Sequence, residues 1–399
     1  DVVGITVMTL TLIDVIRTID LVKKINPECR VVVGGPHVHL FPEEMLNIAG
    51  VDFAVMGEGE VTLVGLLENI NDYDALREIK GLVYKDDKGQ LFNNGPGPFQ
   101  DLDSLSFPAR HLTPYEKYSS LLAKRTPVTT MITSRGCPFK CTFCDRPHFG
   151  GKGFRAMSAK RVVAEFETCL RMGIHEFLIY DDTFTVDKER VKDICRAVIE
   201  KRLDIGFEIR TRVDTVDMEM LALLKQAGCR GIHYGVEAGT DKILKVLQKK
   251  ISLEQAKKVF DLTKQMKIQT LAYFMIGSPT ETREDIIETF RIARWLNPDY
   301  FHLSIFAPFP ATKIYEDGLK NGCIKTDYWR EYAKNPTEDF QLRFWEENLS
   351  REELIDLLKL GYKTYYVRPS YILREFFKTT SLSEFVRKAK AGVKVLFMK

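Results

Sequence analysis

Cys137, Cys141 and Cys144 lie in the stretch TSRGCPFKCTFCDRP, residues 133–147, at C-x3-C-x2-C spacing. Three thiols this close together in a reduced chain read as metal ligands. A tetrahedral structural zinc site takes four ligands, and the sequence offers no second C-x2-C and no nearby His pair; His148 is the one further candidate close by. A [4Fe-4S] cluster also ordinarily uses four thiolates. With three, one iron keeps an open coordination position, which is what a site needs if a substrate must bind the metal directly.

The elements around the triplet point to where it sits. Short apolar strands are expected at Val128 to Thr133, Glu176 to Tyr180, Gly206 to Arg210, Gly231 to Val236, Thr270 to Ile276 and Phe301 to Phe306. Helical stripes separate them, such as Ser158 to Met172 with Ser158 as N-cap, and Arg283 to Leu296 with Ile286, Ile287, Phe290 and Ala293 on one face. Six βα units are too few to close an eight-stranded barrel, so an open, partial barrel is expected. The triplet directly follows the first strand. Gly136 permits a tight turn there and Pro138 stiffens the loop, which places the thiols at the carboxyl-end mouth where barrel active sites form.

A C-x3-C-x2-C run with an aromatic, Phe143, before the last Cys resembles the radical S-adenosylmethionine (SAM) superfamily. The resemblance implies a [4Fe-4S] cluster on Cys137, Cys141 and Cys144 whose open iron chelates SAM, and an electron that cleaves it to a 5'-deoxyadenosyl radical. Zinc or uncoordinated thiols are the competing reading. Later segments resemble the family's motifs in order: Asp181 or Asp182, after the second strand, for the methionyl ammonium; Arg210 and Arg212 for the SAM carboxylate; and Glu237, within Gly235-Val-Glu-Ala-Gly239, for the ribose. Gly277 and Pro279, within Phe274 to Glu281, are implied beside the adenine, and Phe309 to Tyr315 resembles the sixth-strand segment. The resemblance covers residues 128 to 315.

Residues 1 to about 70 also alternate strand and helix, the pattern of a doubly wound sheet whose ligands sit at strand carboxyl ends. Thr6, Gly34, Gly35 and His37, with Gly57, Glu58 and Gly59, resemble the cobalamin-binding domain that precedes the barrel in one large radical SAM class. Paired glycines let the backbone approach a large cofactor, and the next helix start offers N–H groups. Cobalamin contacts for these residues are implied, with His37 as an edge contact or a core histidine, not an axial ligand. The chain starts at Asp1, already next to a strand, so an upstream portion is expected. A hairpin at Leu82-Val-Tyr84 and Leu91-Phe92, then Gly95-Pro-Gly-Pro98, reads as connector.

The fold class expected is α/β: a partial Rossmann-like cobalamin-binding domain (1–75), a hairpin and linker (76–126), a partial (βα)6 radical SAM barrel (127–315) and a helical C-terminal region (316–399). A net charge of +3 argues against a general nucleic-acid binder, and eight cysteines, three clustered and five scattered, against a disulfide framework, so a cytoplasmic enzyme is expected. The resemblance implies a cobalamin-dependent methyltransferase acting on an unactivated carbon of a small-molecule or lipid-like substrate. It also implies an external one-electron donor of flavodoxin or ferredoxin type. Alternatives are a cyclase or oxidoreductase with the same cofactors, RNA methylthiolation, and a non-catalytic iron-sulfur or cobalamin sensor. From Gly361 to Lys399, nine Lys/Arg face two Asp/Glu. The aromatics there suit an amphipathic helix packed on the barrel, or a peripheral membrane contact.

Overall fold

The computed structural model describes residues 1–120, 123–146, 153–378, 386, 389–390 and 392–394. These form two units, one of residues 1–105, 143–146 and 309–342, the other of the described residues of 106–142, 152–308 and 343–399. His148 lies outside the described residues.

In the first unit β1 (Val2–Thr6), β2 (Arg30–Gly34) and β3 (Phe53–Val55) run parallel. The hairpin β4 (Leu82–Lys85) and β5 (Leu91–Asn93) joins the same sheet antiparallel, with β4 beside β3. The expected hairpin is present and extends the sheet, because Leu82 and Val83 alternate onto its two buried faces. The same alternation splits β2: Val31 and Val33 pack with Leu12, Val15 and Ile19 of the helix Leu12–Ile25, and Val32 with Phe53, Val55 and Leu66. Helices Lys313–Asn321 and Tyr328–Lys334 also belong to this unit, not to one C-terminal region running from 316. Trp329 is fully buried there among Phe41, Tyr315 and Tyr328, and Arg330 holds Glu44 at 2.8 Å.

The second unit is a partial (βα)6 barrel. Its strands β6 (Val128–Met131), β9 (Glu176–Ile179), β10 (Gly206–Thr211), β11 (Cys229–Glu237), β12 (Gln269–Ile276) and β13 (Tyr300–Ile305) pair in that order, all parallel. Each of the six expected strands is present to within two residues at either end. The intervening helices start on side-chain caps: Ser158, Asp187, Asp217, Thr240, Ser252 and Thr282 each accept from a backbone N–H one turn on. Such caps contribute about 1 kcal/mol apiece. Two short antiparallel strands, β7 (Ser134–Arg135) and β8 (Arg155–Ala156), clasp the two ends of the cysteine loop.

The outer strand β13 would expose unpaired backbone groups. Helix Arg351–Tyr366 covers it: the Tyr362 hydroxyl sits 3.2 Å from Leu303 N and 2.9 Å from its O, and Tyr366 serves Phe301 in the same way at 2.7 and 2.6 Å. Tyr365 and Tyr371 donate to Pro298 and Asp299 carbonyls. The C-terminal tyrosines are therefore packed on the barrel, whereas Ile372, Leu373, Phe376 and Phe377 are 53, 57, 60 and 81% exposed. Among the described residues no helix is long and apolar enough to cross a membrane.

Candidate active site

At the barrel mouth the backbone turns out of β6 under the control of one carboxylate. Asp181, 1% exposed, accepts from Thr133 N and Oγ1 at 2.5 and 2.6 Å and from Ser134 N and Oγ at 3.1 and 2.6 Å. Arg190 closes the network by donating to Thr133 O and Oγ1 at 2.9 and 2.8 Å. Burial pushes the Asp181 carboxyl upward, and the Thr133 and Ser134 donors oppose it. Asp181 is thus fully engaged in shaping the residues before Gly136 and Cys137. Asp182, half-buried in the same turn, is the other carboxylate of the pair.

Cys137 Sγ lies 3.6 Å from Thr183 Oγ1, and Cys141 Sγ lies 3.6 Å from an Arg212 guanidinium N. Thr142 fastens this part of the loop by donating from N to Leu247 O and from Oγ1 to Val246 O, both at 3.0 Å. Burial pushes the Cys141 thiol upward, while Lys249 and Arg212 pull it toward the thiolate. Thiols in no disulfide, set at strand ends beside fixed cations, suit an anionic thiolate-bound metal centre. Phe143 and Cys144 continue the loop and belong to the first unit. Among the described residues no three His, Cys, Asp or Glu side chains are gathered as ligands of a single metal ion. Cluster ligands each hold a different iron and do not need that convergence.

Arg212 differs from the sequence expectation. It is 4% exposed, forks onto Asp214 at 2.9 and 2.8 Å, donates to Lys249 O at 2.6 Å and stacks 3.9 Å over Phe139. With its edges so occupied, it acts on the loop and the Cys141 sulfur and is not open to a carboxylate ligand. Arg210, two residues earlier on the inner face of β10, lies 3.6 Å over the Tyr180 ring.

Glu237 ends β11 at φ 76° after a register shift, a bulge that re-aims its side chain. Its carboxylate meets the buried Lys249 ammonium at 2.7 Å. A Cβ at Gly235 would stand 2.3 Å from Glu237 Oε1 and 2.9 Å from Lys249 Nζ, so a side chain there would displace this pair. After β12, Gly277 turns at φ 81°, Pro279 follows, and Glu281 accepts from Ser278 N at 2.8 Å. Burial pushes Glu281 up to about 7; its Oε1 and Ser278 Oγ are buried without hydrogen-bond partners among the described residues.

In the first unit, Thr6 ends β1 opposite Gly34, and Gly35 sits at φ 100° with space for no Cβ: one would meet Thr6 Cγ2 and Val7 O at 3.0 Å. Gly57 lies at φ 86°, where a Cβ would stand 3.8 Å from Gly97 N, and Glu58 and Gly59 start the helix Gly59–Glu68. Bare backbone at these strand ends is a surface a bulky ligand can approach closely. His37 is fully buried, its Nδ1 3.0 Å from Thr9 Oγ1 and its ring tilted on Phe41. Burial lowers it to about 4, so it is a neutral core histidine. A ligand contact at His37 has no exposed atom to use.

Thr183, Arg190 and Lys249 went unpredicted, as did an inner-face row of Glu208, His233, Tyr273 and His302. Polar residues at alternate positions inside apolar strands were the signal for that row.

The profile of the Radical SAM superfamily matches residues 131–293, and that of the B12 binding domain residues 1–67. The chain is 33% identical over 381 residues to "Uncharacterized methyltransferase PH0819" of Pyrococcus horikoshii, covering 95% of this chain and 81% of that protein. It is 26% identical to the anaerobic magnesium-protoporphyrin IX monomethyl ester cyclase of Rubrivivax gelatinosus, covering 95% of this chain and 68% of the other. The structure of the cobalamin-dependent S-adenosylmethionine radical enzyme OxsB, with aqua-cobalamin and S-adenosylmethionine bound, superposes with a TM-score of 0.73 at 16% identity, over 100% of this chain and 63% of OxsB. The chain thus spans less than two thirds of that solved structure.

Proposed function

Because the chain belongs to the radical SAM superfamily and matches the B12 binding domain over residues 1–67, we propose that it is a cobalamin-dependent radical SAM methyltransferase acting on an unactivated carbon. The observation that carries this is the pinned loop: Asp181 and Arg190 fix the residues leading into Cys137, and Arg212 sets a cation beside Cys141. When bound, a [4Fe-4S] cluster with one open iron supplies the electron that cleaves SAM, and cobalamin carries the methyl group.

The chain's own residues hold and orient. Cys137, Cys141 and Cys144 would ligate the cluster as thiolates. Asp182 would accept the methionyl ammonium. Glu237, braced by Lys249, would accept from ribose hydroxyls, and the backbone at Gly277 and Pro279 would flank the adenine. Thr6, Gly34, Gly35, Gly57, Glu58 and Gly59 would line the cobalamin site. An external flavodoxin- or ferredoxin-type protein would supply the electron. The exposed Ile372, Leu373, Phe376 and Phe377 would be the part to meet a membrane surface; flotation with liposomes that is unchanged in a Phe376→Asp, Phe377→Asp double variant removes that contact.

The test is anaerobic reconstitution with iron, sulfide and hydroxocobalamin, followed by SAM and dithionite. The proposal expects 5'-deoxyadenosine, and S-adenosylhomocysteine that depends on cobalamin, with deoxyadenosine absent from Cys137→Ala. Protein that keeps its cluster but never cleaves SAM would favour a sensor. The similarity to the cyclase supports a second reading, ring closure without methyl transfer. Deoxyadenosine without S-adenosylhomocysteine would favour it.

A further inference from the structure

The inner face of the barrel carries a polar assembly that the cofactor residues leave unused. Glu208 Oε2 lies 3.1 Å from His233 Nε2, and His233 Nδ1 lies 3.2 Å from the Tyr273 hydroxyl. The Tyr273 ring meets His302 edge-on at 5.3 Å. With Glu208 a carboxylate, Nε2 donates to it, Nδ1 accepts, and Tyr273 O–H donates to Nδ1. The phenol oxygen is thereby turned into an acceptor. Arg210 lies close enough to Tyr273 to oppose the upward push that burial gives the phenol.

Arg210 is a cation of this face. It borders a small, solvent-open cleft of about 70 Å³ lined by Ser120, Leu178, Tyr180, Glu208 and His233. Tyr180 covers a flat face of the guanidinium at 3.6 Å and leaves the donor edges as its polar contacts. Among the described residues no carboxylate forms an ion pair with it, since Glu208 is engaged by His233. A stacked, fixed guanidinium without a counter-ion in a cleft is matched by an oxyanion presented in its plane. Arg210 and Arg212 share a side of the chain two positions apart, about 7 Å along an extended strand, so the anion seat lies deeper than the Cys141 neighbourhood.

We propose that the cleft at Arg210 anchors a carboxylate or phosphate group of the acceptor substrate, which makes that substrate an acid and not a neutral hydrocarbon. This rests on the enzymatic reading above and deepens it. The anchor would hold the acidic end inside the barrel and leave the carbon to be modified toward the mouth. His233 and Tyr273 act as positioning residues through Arg210.

Thermal unfolding of the reconstituted protein tests this with sodium phosphate, sodium acetate and sodium chloride at matched ionic strength. Phosphate or acetate should raise the midpoint by about 2 °C over chloride, and the stronger of the two identifies the group. Arg210→Gln should weaken that response about tenfold in anion concentration, while the shift caused by SAM persists. Loss of the SAM shift with the anion response intact would make Arg210 a SAM ligand and overturn the proposal. So would a wild-type protein that does not distinguish phosphate or acetate from chloride. Should the variant fold poorly, phenylglyoxal labelling of wild-type Arg210, read by peptide mass, must be slowed by the same anions; equal labelling in chloride overturns it. A wild type with no SAM shift counts against the enzymatic reading alone, because the anion arms still decide this one.

Discussion

At the barrel mouth, Asp181 accepts four hydrogen bonds and Arg212 spends its donors on Asp214, a carbonyl and a sulfur. At the strand ends of the first unit, the corresponding positions are Gly34, Gly35 and Gly57, and the nearby His37 is buried and neutral. The contrast follows from what each rim would carry. A reactive cluster needs thiolates held at set positions, so the residues leading into them are charged and tied to one another. A large cofactor tail needs room and backbone, so its surroundings are shaped by what is missing.

The largest way to break this contrast is Asp181→Ala, which strands two N–H groups, two hydroxyls and the Arg190 charge in the interior. A loss of about 3–5 kcal/mol in urea unfolding is expected, with iron incorporation lost alongside. A small loss with normal iron content would mean the mouth is not fixed by that network. Gly35→Ala is the counterpart in the other rim. Its left-handed backbone and 3.0 Å contacts predict about 1–3 kcal/mol of strain. Hydroxocobalamin binding should fall about tenfold as the strand end shifts to relieve the clash, at unchanged iron content.

Glu281→Gln sharpens the comparison further, since Glu281 is the titratable group at the barrel mouth with an unsatisfied oxygen. Its folded pKa of about 7 stands above the ordinary 4.5 because of burial, so the folded state holds the proton longer than the unfolded chain. The stability of the protonated form is full below about 4.5 and lost as the pH rises toward 7. The wild-type melting temperature should therefore fall more between pH 5 and pH 8 than that of Glu281→Gln, by about 2–4 °C. Parallel curves for the two proteins would contradict it. The smallest effect expected is from Tyr366→Phe, about 1 kcal/mol, because water can replace one hydroxyl on the β13 edge.

The alternation of apolar strands and capped helices made the barrel legible, and Ser158 and the Arg283–Leu296 helix form as their patterns imply. Less legible was which polar residue at a strand end is drawn into the interior. Asp181 and Asp182 are neighbours of one type, and only the fold turns one inward onto Thr133. Arg212 and Arg210 pose the same problem, decided by Asp214 and Tyr180. The split of the C-terminal half was hidden because Trp329 and Tyr365 are both aromatic residues on amphipathic helices, and sequence alone does not tell which core each will enter.

The central claim is a cluster on Cys137, Cys141 and Cys144 with one iron left to SAM. The most direct measurement is the electron paramagnetic resonance spectrum of the anaerobically reconstituted, dithionite-reduced protein, recorded before and after adding SAM. The account predicts a [4Fe-4S] signal whose g-values shift when SAM is added and which is absent from the Cys141→Ala protein. A cluster signal indifferent to SAM, or a protein that takes up a single zinc in place of iron, would contradict it.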